Sequence, residues 1–358
     1  MSVLFVQNRP IRAGAQTSLA RLVDSEPIRS IDPVVLLNSN GWLSDQLSRQ
    51  GTSFSVFPFK SSRALSTRIF GLSTWARKVA VSLGETCASI QCVVANDHQE
   101  CPLAIALAKE LGDLPVLSVL RTPGMTKRDF EKYDCDVSQS LMVVGRELQE
   151  RTNEWTSKSI ALFEEGFEEA EFQPWKPVPQ SCPTRLLLIG SEAPRKGFTD
   201  FIEALQAFER QRPDFPGWTC DLTGSRTDAI DALLAKPMRS QFHFLGRIEG
   251  FPARVREYDF AIHPSRAETF GMAPIEAILA GTPTLLSSTG VAAELSLPSS
   301  WTFPPGNIAS LTERLEFLWE SWPPIDIAAI QSQIRARFHI NHTASAVRTQ
   351  LDLLINRR

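Results

Sequence analysis

The stretch His263-Pro264-Ser265-Arg266-Ala267-Glu268-Thr269-Phe270-Gly271-Met272-Ala273-Pro274-Ile275-Glu276-Ala277-Ile278-Leu279-Ala280-Gly281-Thr282-Pro283 decides how the rest of the chain is read. Apolar residues lead into His263 as the end of a strand, and a loop follows. Pro274 suits the first turn of a helix, where a missing N–H costs nothing, and Ile275, Ile278 and Leu279 then line one helical face. A strand, a loop and a helix in that order leave the backbone N–H groups around 270–273 unpaired. They aim beyond the carboxyl ends of the strands, where open α/β sheets bind ligands. Glu276 is expected in the first helical turn and Glu268 on the loop. Carboxylates so placed can accept hydrogen bonds from the adjacent hydroxyls of a polyol. Equally, an acid favours any helix amino end, and a loop acid is ordinarily solvated.

The same alternation of short apolar runs and helical periods extends in both directions. Downstream of a break at 164–184, which holds five acids and then Pro174, Pro177, Pro179 and Pro183, strands are expected at 186–189, 219–223, 242–245, 260–263 and 284–286. Upstream, the runs are 3–6, 34–37, 54–57, 92–95, 116–120, 141–144 and 160–163. They lack strict polar alternation, as expected of parallel strands covered on both faces. The fold class is therefore α/β, with two doubly wound Rossmann-like domains in tandem. The expected bounds are 1–168 for the first domain, 169–184 for a linker, 185–322 for the second domain and 323–358 for C-terminal helices; 308–356 reads as helices broken at Pro323-Pro324 and near 339–341, which cap the second domain or cross back to the first.

With 358 residues, 43% of them hydrophobic, the chain is long enough for two such cores. A net charge of -3 lacks the cationic excess of a protein that coats nucleic acid. The six cysteines form no Cys-x-x-Cys pair, which removes zinc ribbons and thioredoxin-like chemistry and points to a reducing compartment. The amino-terminal apolar run is too short for a signal peptide and no run is long enough to span a bilayer, so a cytoplasmic setting, or the inner membrane face, is expected.

The chain resembles the large family of retaining GT-B glycosyltransferases of the family 4 type, also called glycosyl transferases group 1. Glu268 and Glu276 match its E-x7-E element, with Phe270-Gly271 between them. The likeness extends to Gly190-Ser191-Glu192-Ala193-Pro194-Arg195-Lys196-Gly197, Leu222-Thr223-Gly224, Leu245-Gly246-Arg247, Gly281-Thr282-Pro283 and Glu294, covering residues 185–305. It implies two domains facing each other across a cleft. It also implies a ribose diol held by Glu276 and a transferred sugar contacted by Glu268 and by the amides of Phe270, Gly271 and Met272. The diphosphate would be held by the loop that carries Gly190, Ser191, Arg195 and Lys196. Ser191 stands where the family places an Arg, and Arg195 is the neighbouring candidate for the second cation. In the first domain, Gly14 in Arg12-Ala13-Gly14-Ala15 resembles the family's glycine loop, where the backbone comes close to the diphosphate and the acceptor.

The first domain departs from the family after its fifth strand, where many relatives place a His and this chain has Arg121. An Arg can neutralise an acceptor's phosphate or carboxylate but cannot act as a base. His98, on the loop after the fourth strand, is the second acceptor-site candidate; a lone loop His can also be structural. Asp134-Cys135-Asp136 has the form of a metal-binding Asp pair, but it precedes a strand instead of following one. A solvated turn is expected there, with no required metal or other cofactor. Residues 60–84 carry Lys60, Arg63, Arg68, Arg77 and Lys78 and no acid, and Leu65, Ile69, Phe70, Leu72 and Trp75 are interleaved. Such a stretch either lies on an anionic membrane surface or packs on the core with its basic residues solvated.

The expected activity is transfer of a sugar from a nucleotide-diphosphate donor to a hydroxyl of a glycan or lipid-linked acceptor, in bacterial envelope polysaccharide or lipopolysaccharide synthesis. Lys196 and Arg195 would stabilise the leaving diphosphate and Glu268 would hold the sugar. Two rivals remain: a degenerate relative that binds a nucleotide sugar or a partner without turnover, and a dehydrogenase, which the missing Gly-x-Gly-x-x-Gly fingerprint opposes.

Overall fold

The computed structural model describes residues 2–58, 65–174, 184–321 and 327–357, with the backbone alone at 65–70. The chain divides into two compact units. One comprises Met1–Phe167 together with Phe338–Arg358, and the other Glu168–Arg337.

The first unit is built on a parallel sheet of seven strands: β1 (Ser2–Gln7), β2 (Pro33–Leu37), β3 (Ser53–Val56), β4 (Ile90–Ala95), β5 (Val116–Leu120), β6 (Ser140–Val143) and β7 (Ile160–Leu162). They lie in the order β3-β2-β1-β4-β5-β6-β7. β1, β2 and β5 are buried along their whole length, because helices cover both faces of the sheet, which is why they read as unbroken apolar runs.

The second unit has a parallel sheet in the order β10-β9-β8-β11-β12-β13. Its strands are β8 (Arg185–Leu188), β9 (Thr219–Leu222), β10 (Gln241–Phe244), β11 (Phe260–His263), β12 (Thr284–Ser287) and β13 (Thr302–Phe303). β13 was not expected from the sequence; its two residues are too few to show a pattern. Helix Phe198–Gln211 buries Phe201, Ile202, Leu205 and Phe208, one stripe at helical spacing, against this sheet. Phe208, Phe215 and Trp218 extend that core, with ring centroids 4.8 and 4.9 Å apart. In each sheet the strand order reverses once, between β1 and β4 and between β8 and β11. Loops leaving the carboxyl ends of those neighbouring strands diverge and open a crevice.

The C-terminal helices do not form one body. Helix Ile327–Phe338 stays with the second unit up to Arg337: Gln331 donates to the carbonyls of Ile278 and Leu279 at 2.9 and 3.1 Å, satisfying the end of helix Met272–Leu279. Helix Ile340–Ile355 belongs to the first unit, where Arg348 donates to Ser30 Oγ at 2.8 Å. The chain leaves the first unit at Phe167 and returns beside it, with the Phe167 amide donating to Phe338 O and the Ile340 amide to Phe167 O, at 2.8 and 2.9 Å. Gly166 allows this approach, since a Cβ there would sit 2.7 Å from Ile340 Cα. Of the expected linker, Gln173 is docked on the second unit through its amide to Leu279 O at 2.8 Å, while 175–183 lie outside the described residues, as do Pro323-Pro324.

Lys60 and Arg63 of the basic stretch also lie outside the described residues, as do the side chains of Leu65, Arg68, Ile69 and Phe70. Beyond Gly71, which interrupts helix Leu65–Leu83 with φ +72°, Arg77, Lys78 and Val81 are exposed. Trp75 turns inward, in edge contact with Phe57 at 6.4 Å. Asp134 takes a left-handed conformation ahead of β6, and Asp136 lies 3.6 Å from Lys158 Nζ. Among the described residues, no helix is long and apolar enough to cross a membrane.

Candidate active site

In the second unit, the loop after β8 and the loop after β11 leave neighbouring strand ends at the reversal point. They are stitched together by backbone: Arg195 O accepts the Arg266 amide at 2.7 Å and Ser265 Oγ at 3.1 Å. Gly197 makes the approach possible, for its φ is +68° and a Cβ there would lie 2.0 Å from Pro264 O. Arg266 turns away to pair with Asp200, Nε to Oδ2 at 2.8 Å. The register of the two loops is thereby set before any ligand arrives.

The result is a compact charge cluster. Lys196 Nζ donates to Glu268 Oε1. His263 Nε2 lies 3.2 Å from the same oxygen, and Arg195 Nη1 lies 3.9 Å from Oε2 and donates to Ala267 O at 3.3 Å. Glu268 is 9% exposed and His263 3%. Burial pushes the Glu268 carboxyl up, but the His263 and Lys196 groups beside it outweigh burial and hold it well below the usual carboxylate range. Burial, helped by Lys196 and Arg195, pushes His263 down against the pull of Glu268. The cluster thus presents a fixed carboxylate beside two cations, a set able to hold hydroxyls and phosphate side by side.

Helix Met272–Leu279 begins directly behind this loop. Its cap residue Gly271 has φ +92° and, lacking a side chain, makes no side-chain bond to the first-turn N–H groups that follow from Met272. The Phe270 carbonyl is turned back to accept the Val291 amide at 2.9 Å, beneath Gly290, where a Cβ would meet that oxygen at 2.4 Å. Because the helix starts at Met272, Glu276 is its fifth residue. It stands half-buried in the second turn, and the first-turn position expected for it is corrected. In the loop after β8, Thr223 Oγ1 accepts the Gly190 amide at 2.8 Å, and a Cβ on Gly190 would meet the Phe198 ring at 2.8 Å. Ser191 is half-buried in the same loop, where a Cβ on Gly224 would meet its carbonyl carbon at 2.9 Å.

The reversal point of the first sheet carries the other candidates. Gly14 is exposed as the first residue of helix Gly14–Asp24, whose cap Ala13 offers no side-chain bond. The two acceptor candidates turn inward. Arg121, 6% exposed, donates to Glu165 at 2.6 Å, Ser18 Oγ at 3.1 Å and Asn96 O and Oδ1 at 2.9 and 3.0 Å, with its guanidinium 4.3 Å from the Phe163 ring centre. A cation so fully engaged holds the strand ends together, and the expected ligand-facing guanidinium is corrected. His98 is also buried, its Nδ1 2.8 Å from Asp97 Oδ1 and its ring edge-on to Tyr133 at 4.9 Å.

The sequence reading overlooked His263 and Glu100. Glu100 is buried in the turn after β4, accepts the Asn8 amide at 3.1 Å and, among the described residues, finds no hydrogen-bond partner for Oε2. Burial and the nearby Asp97 push its carboxyl up to about 8. The only sequence signal for either residue is its place at the carboxyl end of a strand flanking a reversal point.

Residues 183–321 match the family model described as glycosyl transferases group 1. The chain is 26% identical over 267 residues to the glycogen synthase of Mycobacterium tuberculosis, a match covering 68% of this chain and 62% of that protein, so it spans about three fifths of that relative's length. Among solved structures, Anabaena HepE in complex with UDP-glucose superposes with a TM-score of 0.78 at 17% identity, covering 98% of this chain and 99% of that one. The apo lipopolysaccharide outer core galactosyltransferase WaaB does so with a TM-score of 0.73 at 14% identity, covering 98% and 100%. Over residues 183–321 the chain is thus similar to the glycosyl transferases group 1 family, and the chain as a whole has the GT-B fold.

Proposed function

We propose that the protein is a retaining glycosyltransferase that moves a sugar from a nucleotide-diphosphate donor to a hydroxyl of a glycan or lipid-linked acceptor. The observation that carries this reading is the convergence of Lys196, Arg195 and Glu268 at the strand reversal of the second unit, in front of an uncapped helix amino end. Lys196 and Arg195 meet the charge that develops on the departing diphosphate, with no metal required. Glu268 and the amides of Gly271 and Met272 hold the sugar, and Glu276 the ribose. The first unit, with Gly14 at its reversal point, serves the acceptor. Related proteins include a lipopolysaccharide galactosyltransferase and a glycogen synthase, which supports a polysaccharide product; bacterial envelope synthesis at the cytoplasmic face of the membrane is the setting we favour.

The test is transfer and hydrolysis with a panel of UDP-, GDP- and dTDP-sugars. Lys196→Ala is expected to lower turnover by orders of magnitude, whereas Glu276→Ala chiefly weakens donor binding. Unchanged kinetics in both variants refute the assignment. A second reading, binding without turnover, draws on Ser191, an uncharged residue in the phosphate loop. Donor binding with no transfer or hydrolysis across the panel favours it.

A further inference from the structure

Glu268 is held by three groups, and two of them are those a nucleotide diphosphate would claim. Lys196 and Arg195 sit on flexible side chains of the loop after β8, 17% and 46% exposed. A diphosphate bound there draws both toward itself, because it carries more charge than one carboxylate and accepts more hydrogen bonds. Glu268 would then be a nearly buried carboxylate that has lost its cations, an unfavourable state unless another donor remains.

His263, with Nε2 3.2 Å from Oε1, is placed to be that donor. It is the last residue of β11, paired with Leu286 of β12, so its ring is carried by the sheet and cannot follow the loop. Resting on the glycosyltransferase reading, we propose that His263 is a positioning residue: its Nε2–H keeps the Glu268 carboxylate in place when Lys196 and Arg195 turn to the diphosphate, leaving Oε2 to accept a sugar hydroxyl. A carboxylate only accepts, so the bond requires the tautomer protonated at Nε2. The charged groups that face the ring are Glu268, Lys196 and Arg195; burial with those two cations pushes the ring down against the pull of Glu268, which favours its neutral form. A neutral donor orients the carboxylate without neutralising it, so Glu268 stays free to bind hydroxyls. The arrangement also links the two halves of donor recognition: the phosphate takes the cations, and the sugar takes the carboxylate they release.

The experiment compares nucleotide with nucleotide sugar. UDP and UDP-glucose, and in parallel GDP and GDP-mannose, are titrated calorimetrically into wild type, His263→Phe, His263→Gln, Glu268→Gln and the His263→Phe/Glu268→Gln double variant. A hydrogen bond to a charged group corresponds to about tenfold in affinity or more, so His263→Phe is expected to lower the preference for the sugar-bearing ligand by about tenfold while the bare nucleotide binds within about twofold of wild type. His263→Gln, which keeps an N–H in reach, restores most of the preference, and the double variant loses no more than Glu268→Gln alone. An unchanged preference in His263→Phe overturns the proposal. So does parallel loss of both ligands in the Phe and Gln variants, which marks a framework residue. Wild type binding neither nucleotide nor nucleotide sugar overturns instead the donor site on which the proposal rests.

Discussion

Gly197→Ala is expected to pry apart the two loops that carry the charge cluster. The residue has φ +68° and ψ 21°, a left-handed conformation that costs an L-residue about 1–2 kcal/mol. The added Cβ would also stand 2.0 Å from Pro264 O, and since Cβ contacts below 3.0 Å essentially do not occur, the backbones must separate by about 1 Å. That movement strains the two bonds into Arg195 O, from the Arg266 amide and Ser265 Oγ, each contributing about 1 kcal/mol net. The whole effect is therefore about 3 kcal/mol. Gly246→Ala supplies the control, because Gly246 has φ +61° with nothing among the described residues within 4 Å of its added Cβ and should lose only the conformational part. Urea unfolding of both variants, with turnover on the donor accepted by wild type, reads the difference. Gly197→Ala should be less stable than Gly246→Ala by about 2 kcal/mol and slower by about a hundredfold, the cost of misplacing a catalytic group by about an ångström. Equal stability in the two variants, with donor turnover at the wild-type rate, would refute the claim that this contact sets the cluster.

Two further outcomes are expected. Glu100 has a carboxyl raised from 4.5 to about 8, so the folded state holds a proton that the unfolded chain has released. Its contribution is full below about pH 4.5 and is lost as pH rises toward 8, a slope approaching about 1.4 kcal/mol per pH unit. Glu100→Gln keeps an acceptor for the Asn8 amide and should flatten the stability profile between those limits; a thermal-unfolding series that retains the full slope in the variant assigns the proton elsewhere. We also propose contact between the exposed Arg77 and Lys78 and an anionic membrane surface, with each basic residue near the surface adding about 1 kcal/mol. Arg77→Ser/Lys78→Ser should then reduce flotation with phosphatidylglycerol vesicles, and unchanged flotation removes these residues from any membrane contact.

Much of the fold was legible because parallel strands buried on both faces leave continuous apolar runs; twelve runs lie at strands, each within two residues of the observed bounds. β13 was not, since its residues Thr302 and Phe303 depend on β12 for their conformation. The direction of loop side chains was also illegible. Arg121 and His98 occupy carboxyl-end loops, as a ligand-binding residue would, yet Glu165 and Asp97, distant and adjacent in sequence respectively, draw them inward. His263 looks from sequence like the end of a buried strand, and its role toward Glu268 emerges only when the ring and the carboxylate are seen to share a space.

Local chemistry in the sequence determined the two parallel sheets, the Gly and Pro positions that open helix Met272–Leu279, and which charged residues reach the carboxyl ends of the strands. Those properties depend on neighbours a few positions apart. Tertiary structure alone decided that Lys196 and His263 meet at one oxygen of Glu268, that Arg121 is spent on the interior and that helix Ile340–Ile355 returns to the first unit. Each of these joins residues through strand order and loop approach, and the periodicity of a single chain carries no information about which distant loops come within hydrogen-bonding distance.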